Sequence, residues 1–427
     1  MAERRPPPTG ELAVERASRR TPRGRSPFAP AAPSIVTAAG FAAATLVWAT
    51  VGDPLPGGRW LAVHLFTLGV LTNLVLTFSE HFSRTLSRAA GERAGWWPLV
   101  TNAAIVTLLV GVVTDRHLVL GAGATVLTAA VFAAYLRLRR MRRASVGARF
   151  TWVVRVYERA HGAFIHGAIF GALLGVGAVS GAWYGGFRLA HLHAQVLGWG
   201  GLTLLATLVF FGPTMARVRI EPGADARAAR ALRWGATGLS LGVLALLLTG
   251  AGDPFGTVAR LLAAVGLAAF AASATVVCLP VVRAVVTGPH SASRPMVAAV
   301  AVWLPVVTWA DAVIVAFGAW RWLDALGIAA LTGALAQAML ATLLYLAPML
   351  RGRTAATRER LRDRLAFASG WRTGLFNLGV VALAAHAAST ADLPVLAVVG
   401  WGLLAALLVS SLLLAVWPTP PVDEAAS

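Results

Sequence analysis

Residues 393–417 read LPVLAVVGWGLLAALLVSSLLLAVW, without one ionisable side chain. An apolar run of about 20 residues is what a helix needs to cross a hydrocarbon layer of roughly 30 Å, so this stretch reads as a transmembrane helix. Working back from it, comparable stretches occur at 34–52, 60–82, 97–114, 118–136, 160–182, 190–212, 233–251, 257–280, 295–318, 322–348 and 372–390. The chain of 427 residues is 57% hydrophobic and only 13% charged. A soluble domain is roughly 45–50% apolar and about 25% charged. The expectation is an all-α polytopic membrane protein with twelve transmembrane helices over 34–417, whose first partner is the lipid bilayer.

The charge is as informative as the apolar runs. There is no lysine, so all 37 basic residues are arginine. That excludes a Walker A phosphate-binding lysine and a Schiff-base lysine. The net charge of +19 does not point to nucleic acid, because the arginines lie between apolar spans and no basic soluble domain carries them. Only Arg59, Arg116, Arg188, Arg260 and Arg321 fall in or at the edge of the odd-numbered gaps, while the other 32 sit in the N-terminal stretch and in or at the edge of the even-numbered gaps. By the positive-inside rule, that asymmetry puts both termini in the cytoplasm. Residues 1–33, rich in Arg and Pro, read as a disordered tail rather than a cleaved signal, and 418–427 as a short cytoplasmic tail. The most basic gaps read as loops touching lipid headgroups. The single Cys278, inside an apolar span, leaves no intrachain disulfide.

A repeat emerges when the spans are taken in fours. The second span carries His64 and Gly69, the sixth carries His193 and Gly198, each pair five residues apart. Pro213 and Pro348 close the sixth and tenth spans, and Asn102 and Asn377 lie early in the third and eleventh. Spans 2, 6 and 10 thus read as equivalent, giving three four-helix units.

Ionisable groups inside lipid are costly and usually functional. With this topology His64, His117, His191, His193 and His386 share the outer level, and Asp311 lies one to two turns below it. Imidazole is a common ligand for copper, zinc and haem iron. His191 and His193 are two residues apart, roughly 200° around a helix, so in a regular helix they face different neighbours. His193 is the better candidate ligand because it matches His64 in the repeat. Asp311 is expected to face inward, as an acceptor for a ligand imidazole or as part of a proton path. Glu80, His81, His161 and His166 lie toward the inner face, where interfacial placement explains them.

The stretch AHLHAQVLGWGGLT (190–203) ending in Pro213-Thr-Met215, together with His64-Leu-Phe-Thr-Leu-Gly69, Ser79-Glu80-His81-Phe82 and Leu344-Tyr-Leu-Ala-Pro348, resembles subunit I of the haem–copper oxidases. The likeness is to the diverged membrane region that precedes multicopper-oxidase modules in high-GC bacteria. It covers roughly residues 34 to 417. It implies a bacterial plasma-membrane protein that binds haem or copper near the outer face. His64 matches a low-spin haem ligand of that family, and His193 or His386 would supply a second. Metal would draw on His64, His191, His193 and His386, serving electron transfer or copper handling with a periplasmic copper or electron-transfer protein. Position 197 is Leu where an oxidase carries a Tyr four residues after its His. The seventh and tenth spans lack histidine altogether, so oxygen reduction is not expected of this chain. Two other functions compete. A proton-coupled small-molecule transporter would use Asp311, Glu80 and the histidines, and a cofactor-free scaffold would use none.

Overall fold

The computed structural model describes residues 29–52, 54–89, 95–145, 150–352, 354–391 and 393–416. No strand occurs among them. The helices are α1 (Ala32–Val51), α2 (Gly58–Ser87), α3 (Trp97–Val113), α4 (His117–Ala144), α5 (Thr151–Gly175), α6 (Ala182–Met215) and α7 (Ala224–Ala251). They continue with α8 (Phe255–Val286), α9 (Arg294–Phe317), α10 (Trp320–Arg351), α11 (Ala355–Ala366), α12 (Ser369–Ala388) and α13 (Pro394–Val416). Among the described residues nine helices are long and apolar enough to cross a membrane, namely α1, α2, α4, α6 to α10 and α13. α3 is apolar but shorter.

The outside of the bundle carries many large apolar side chains. Leu118, Phe255, Val265 and Val398 are each more than two-thirds exposed. A surface of this kind belongs against hydrocarbon rather than water. The chain is an all-α membrane protein.

α2 and α6 are the most buried of the long helices, and α1 and α13 the least. α6 sits centrally, packed against α5, α7, α8, α9 and α10. Without a hydrophobic drive between helices in lipid, small residues that let backbones approach must hold them together. At Gly266 a Cβ would lie 2.4 Å from the Gly238 carbonyl oxygen, so α7 and α8 meet backbone to backbone there.

Helix ends depart from the apolar runs for physical reasons. The stretch 160–182 was expected as one span, yet α5 starts nine residues earlier and stops at Gly175. Gly177 and Gly181 adopt positive φ, which ends the helix, while Arg155, Glu158 and Arg159 extend it on the other side. α4 likewise runs on through a basic segment to Ala144. α11, too polar to register as a span, is capped by Thr354, whose Oγ1 accepts from the Thr357 amide at 3.1 Å. The tail expected at 1–33 lies outside the described residues up to residue 28, and 29–33 are already helical. The 418–427 tail lies wholly outside them.

Three helices are interrupted in the same way. π-helical segments occupy Leu65–Leu71 in α2, Ala194–Gly201 in α6 and Ala329–Ala336 in α10. Each contains a glycine, Gly69, Gly198 or Gly333, and begins four residues before it. The residue just ahead of the segment is His64, His193 and Ile328 in turn. The register holds further along, since Pro213 and Pro348 both lie fifteen residues after their glycine. π-segments are rare and concentrate at functional sites. Three in one register place α2, α6 and α10 in equivalent local geometry.

Candidate functional site

Three histidines gather at one end of α2 and α6. Each donates its Nδ1–H to a backbone carbonyl, because a carbonyl oxygen can only accept. His64 bonds Trp60 O at 2.8 Å, His191 bonds Gly167 O at 2.7 Å and His193 bonds Leu189 O at 2.7 Å. This puts a hydrogen on Nδ1 in all three, so in the neutral ring the lone pair is on Nε2. Ligand imidazoles are commonly held in this way.

His64 also stacks on Trp60, with ring centres 3.9 Å apart and planes within 20°. The next ring along is His191, not His193. The His64 and His191 centres are 6.4 Å apart and their planes lie within 10°. His191 packs against Gly171 of α5, where a Cβ would come within 2.6 Å of Cε1 and 2.7 Å of Nδ1. Glycine is therefore required at 171 for this ring to occupy its place. Both imidazoles are half-buried.

His193 faces the other way, toward α9. Its Nε2 lies 3.0 Å from Asp311 Oδ1, and both side chains are buried. Since Nδ1 already carries a hydrogen, two protonation states satisfy this contact. Either a doubly protonated imidazole meets a carboxylate, or the carboxyl group donates to neutral Nε2. Both keep one proton between the two atoms; without it, lone pair would face lone pair. Asp311 Oδ2 is buried with no hydrogen-bond partner.

The remaining candidates are not brought to this group. His386 lies in the last turn of α12 and donates Nδ1–H to Leu393 O, just before α13, at 3.1 Å. His117 caps the end of α5 through Gly175 O at 3.2 Å. Among the described residues no group of three or more His, Cys, Asp or Glu side chains is placed to hold a metal ion. At the opposite end Glu80 accepts from Arg84 at 2.5 Å and from Arg137 at 3.2 Å, and Arg137 lies over the Trp97 ring. His290 donates to Ala366 O at 2.9 Å, tying the loop after α8 to the end of α11.

Sequence reasoning singled out His64, His191, His193 and Asp311 but missed Trp60, Gly167 and Gly171, which hold them. The glycines gave a signal, since α5 carries Gly167, Gly171 and Gly175 at four-residue spacing. No family model and no curated protein matches the chain.

Proposed function

We propose that the chain is a twelve-span bacterial inner-membrane protein of diverged oxidase-subunit-I type, with three four-helix units and both termini cytoplasmic. Its outer end binds one copper ion between His64 and His191, for electron transfer or copper handling with a periplasmic partner. The shared register of the three π-segments supports the repeat. The exposed Trp60, Trp183, Trp320 and Trp322 at one end and Trp371 at the other fit an aromatic belt at two interfaces.

The observation that carries the metal reading is the pair of near-parallel imidazoles. A metal–nitrogen bond of about 2.0 Å sets a ring centre about 3 Å from the ion, so two rings on opposite sides of one ion have centres about 6 Å apart. The 6.4 Å between the two ring centres is close to that spacing, and imidazole suits copper. His64 and His191 would hold it through Nε2, and bound copper would supply a one-electron carrier. Trp60 and Gly171 orient the two rings beforehand, so little side-chain freedom is lost on binding.

A haem held between α2 and α10 does not fit. The α10 residue in register with His64 is Ile328, whose alkyl side chain ligates nothing.

The buried His193–Asp311 pair favours a second reading, proton-coupled transport, because the pair keeps one proton away from water. Copper binding separates the two. The purified protein, titrated with Cu(I) against a chromophoric competitor, is expected to bind one equivalent and to lose it in His64→Ala and His191→Ala. His193→Ala should retain it. Absence of binding, or binding indifferent to His64 and His191, overturns the copper reading.

A further inference from the structure

Along α6 the residues His191, Gln195, Trp199, Thr203 and Thr207 recur at every fourth position, and their contacts face α5. His191 bonds Gly167 O, Gln195 donates to Phe164 O at 3.2 Å, and Thr207 shares a hydrogen bond with the Tyr157 hydroxyl at 2.8 Å. Between them the Trp199 ring lies edge-on to His161, centre to centre 4.8 Å. This is a polar seam between two membrane helices, running from the arginine end to the histidine end.

The middle of the seam is incomplete. His161 is fully buried and its Nδ1–H is taken by Tyr157 O at 2.7 Å, yet its Nε2 has no partner. Trp199 Nε1 and Thr203 Oγ1 are also buried without partners. Trp199, inside the π-segment, touches His161 of α5, and Thr203 follows it by four residues on α6. One acceptor, one donor and one hydroxyl therefore converge on the same stretch of interface. Each such group left unpaired costs about 1–3 kcal/mol. A water needs two to four polar partners in a buried site, and these three supply them.

We propose that the α5–α6 seam is a hydrated proton path. One internal water is held by His161, Trp199 and Thr203, and the path links the Tyr157–Thr207 pair with Gln195 and His191. Buried ionisable residues inside membrane spans mark proton relays. The bound water carries the proton: it takes one from the Thr207 side and releases one toward Gln195. His161 Nε2 takes up a proton from that water only transiently and returns it, so nothing is consumed. Nδ1 keeps its hydrogen on Tyr157 O throughout. At the arginine end the Arg142–Glu158 pair, 2.5 Å apart, adjoins Tyr157 at the entrance. The inference needs the membrane-spanning arrangement and is independent of copper.

The test is proton entry into liposomes loaded with a pH-sensitive dye and carrying the purified, copper-free protein, driven by a potassium diffusion potential. Wild type should acidify the lumen faster than protein-free vesicles. Thr203→Val keeps shape and removes the hydroxyl, and His161→Phe removes the acceptor; each should bring the flux down toward that of protein-free vesicles. Gly121→Ala, at a position with nothing within 4 Å, should conduct as wild type. Wild-type flux equal to that of empty vesicles, or full flux through folded Thr203→Val, overturns the proposal. Because copper is absent, that failure leaves the metal reading untouched.

Discussion

Replacing His193 by leucine should be the most damaging single change at the histidine end of the bundle. Asp311 Oδ1 has the His193 imidazole as its partner at 3.0 Å, and Oδ2 has none. Removing the imidazole strands a carboxyl group that is 3% exposed. Breaking a buried pair from one side costs about 3–5 kcal/mol. Asp311→Asn is much milder, because its amide still donates to Nε2 of a neutral imidazole; about 1 kcal/mol is the ordinary worth of that bond. The double variant His193→Leu/Asp311→Leu puts apolar side chains on both sides of the contact. Such replacements of buried pairs are often close to neutral. It should therefore be more stable than His193→Leu alone, by about 2–4 kcal/mol. Unfolding in mixed detergent micelles, followed through the intrinsic fluorescence of the 15 tryptophans, measures all four proteins. Additive losses, with the double variant the weakest, would refute the pairing.

Three further outcomes follow from the same geometry. Gly123→Ala drives a Cβ to 2.4 Å from the Leu108 amide nitrogen and should cost about 1–3 kcal/mol in melting experiments. Gly121→Ala, two residues away on the same helix with open space around it, should instead be neutral or slightly stabilising. Asn73 and Asn102 donate to each other at 2.8 and 3.1 Å across α2 and α3, so Asn102→Leu should lower stability by about 0.6–2 kcal/mol. Reporter fusions after residues 145, 225 and 357 should read as cytoplasmic and those near 186 and 253 as periplasmic, and a pattern that does not alternate contradicts the topology.

The helices were legible because apolar length is a direct measure of what lipid accepts. Their ends were not, since hydropathy records solubility while Gly177 and Gly181 set the backbone. The π-segments were only half visible. His64 and His193, each five residues before a glycine, marked two of them. The third was hidden because Ile328 stands where a histidine would have flagged it. Depth along the helices singled out Asp311 with His64, His191 and His193, which the structure places near one end, but also His117 and His386, which it does not bring to them. That His191 and His193 face different neighbours follows from their spacing on a regular helix, but which one meets His64 depends on how α6 is rotated against α2 and α5, which the sequence does not record. The seam along α5 was also hidden, since Trp199 and Thr203 look like ordinary packing residues until His161 is seen against them.

X-ray absorption at the copper edge of the loaded protein tests the central claim most directly. The account predicts a first shell of two imidazole nitrogens at about 2.0 Å and no sulfur, lost when His64 and His191 are both replaced by alanine. A shell of sulfur ligands, or one that survives the double replacement, would contradict it.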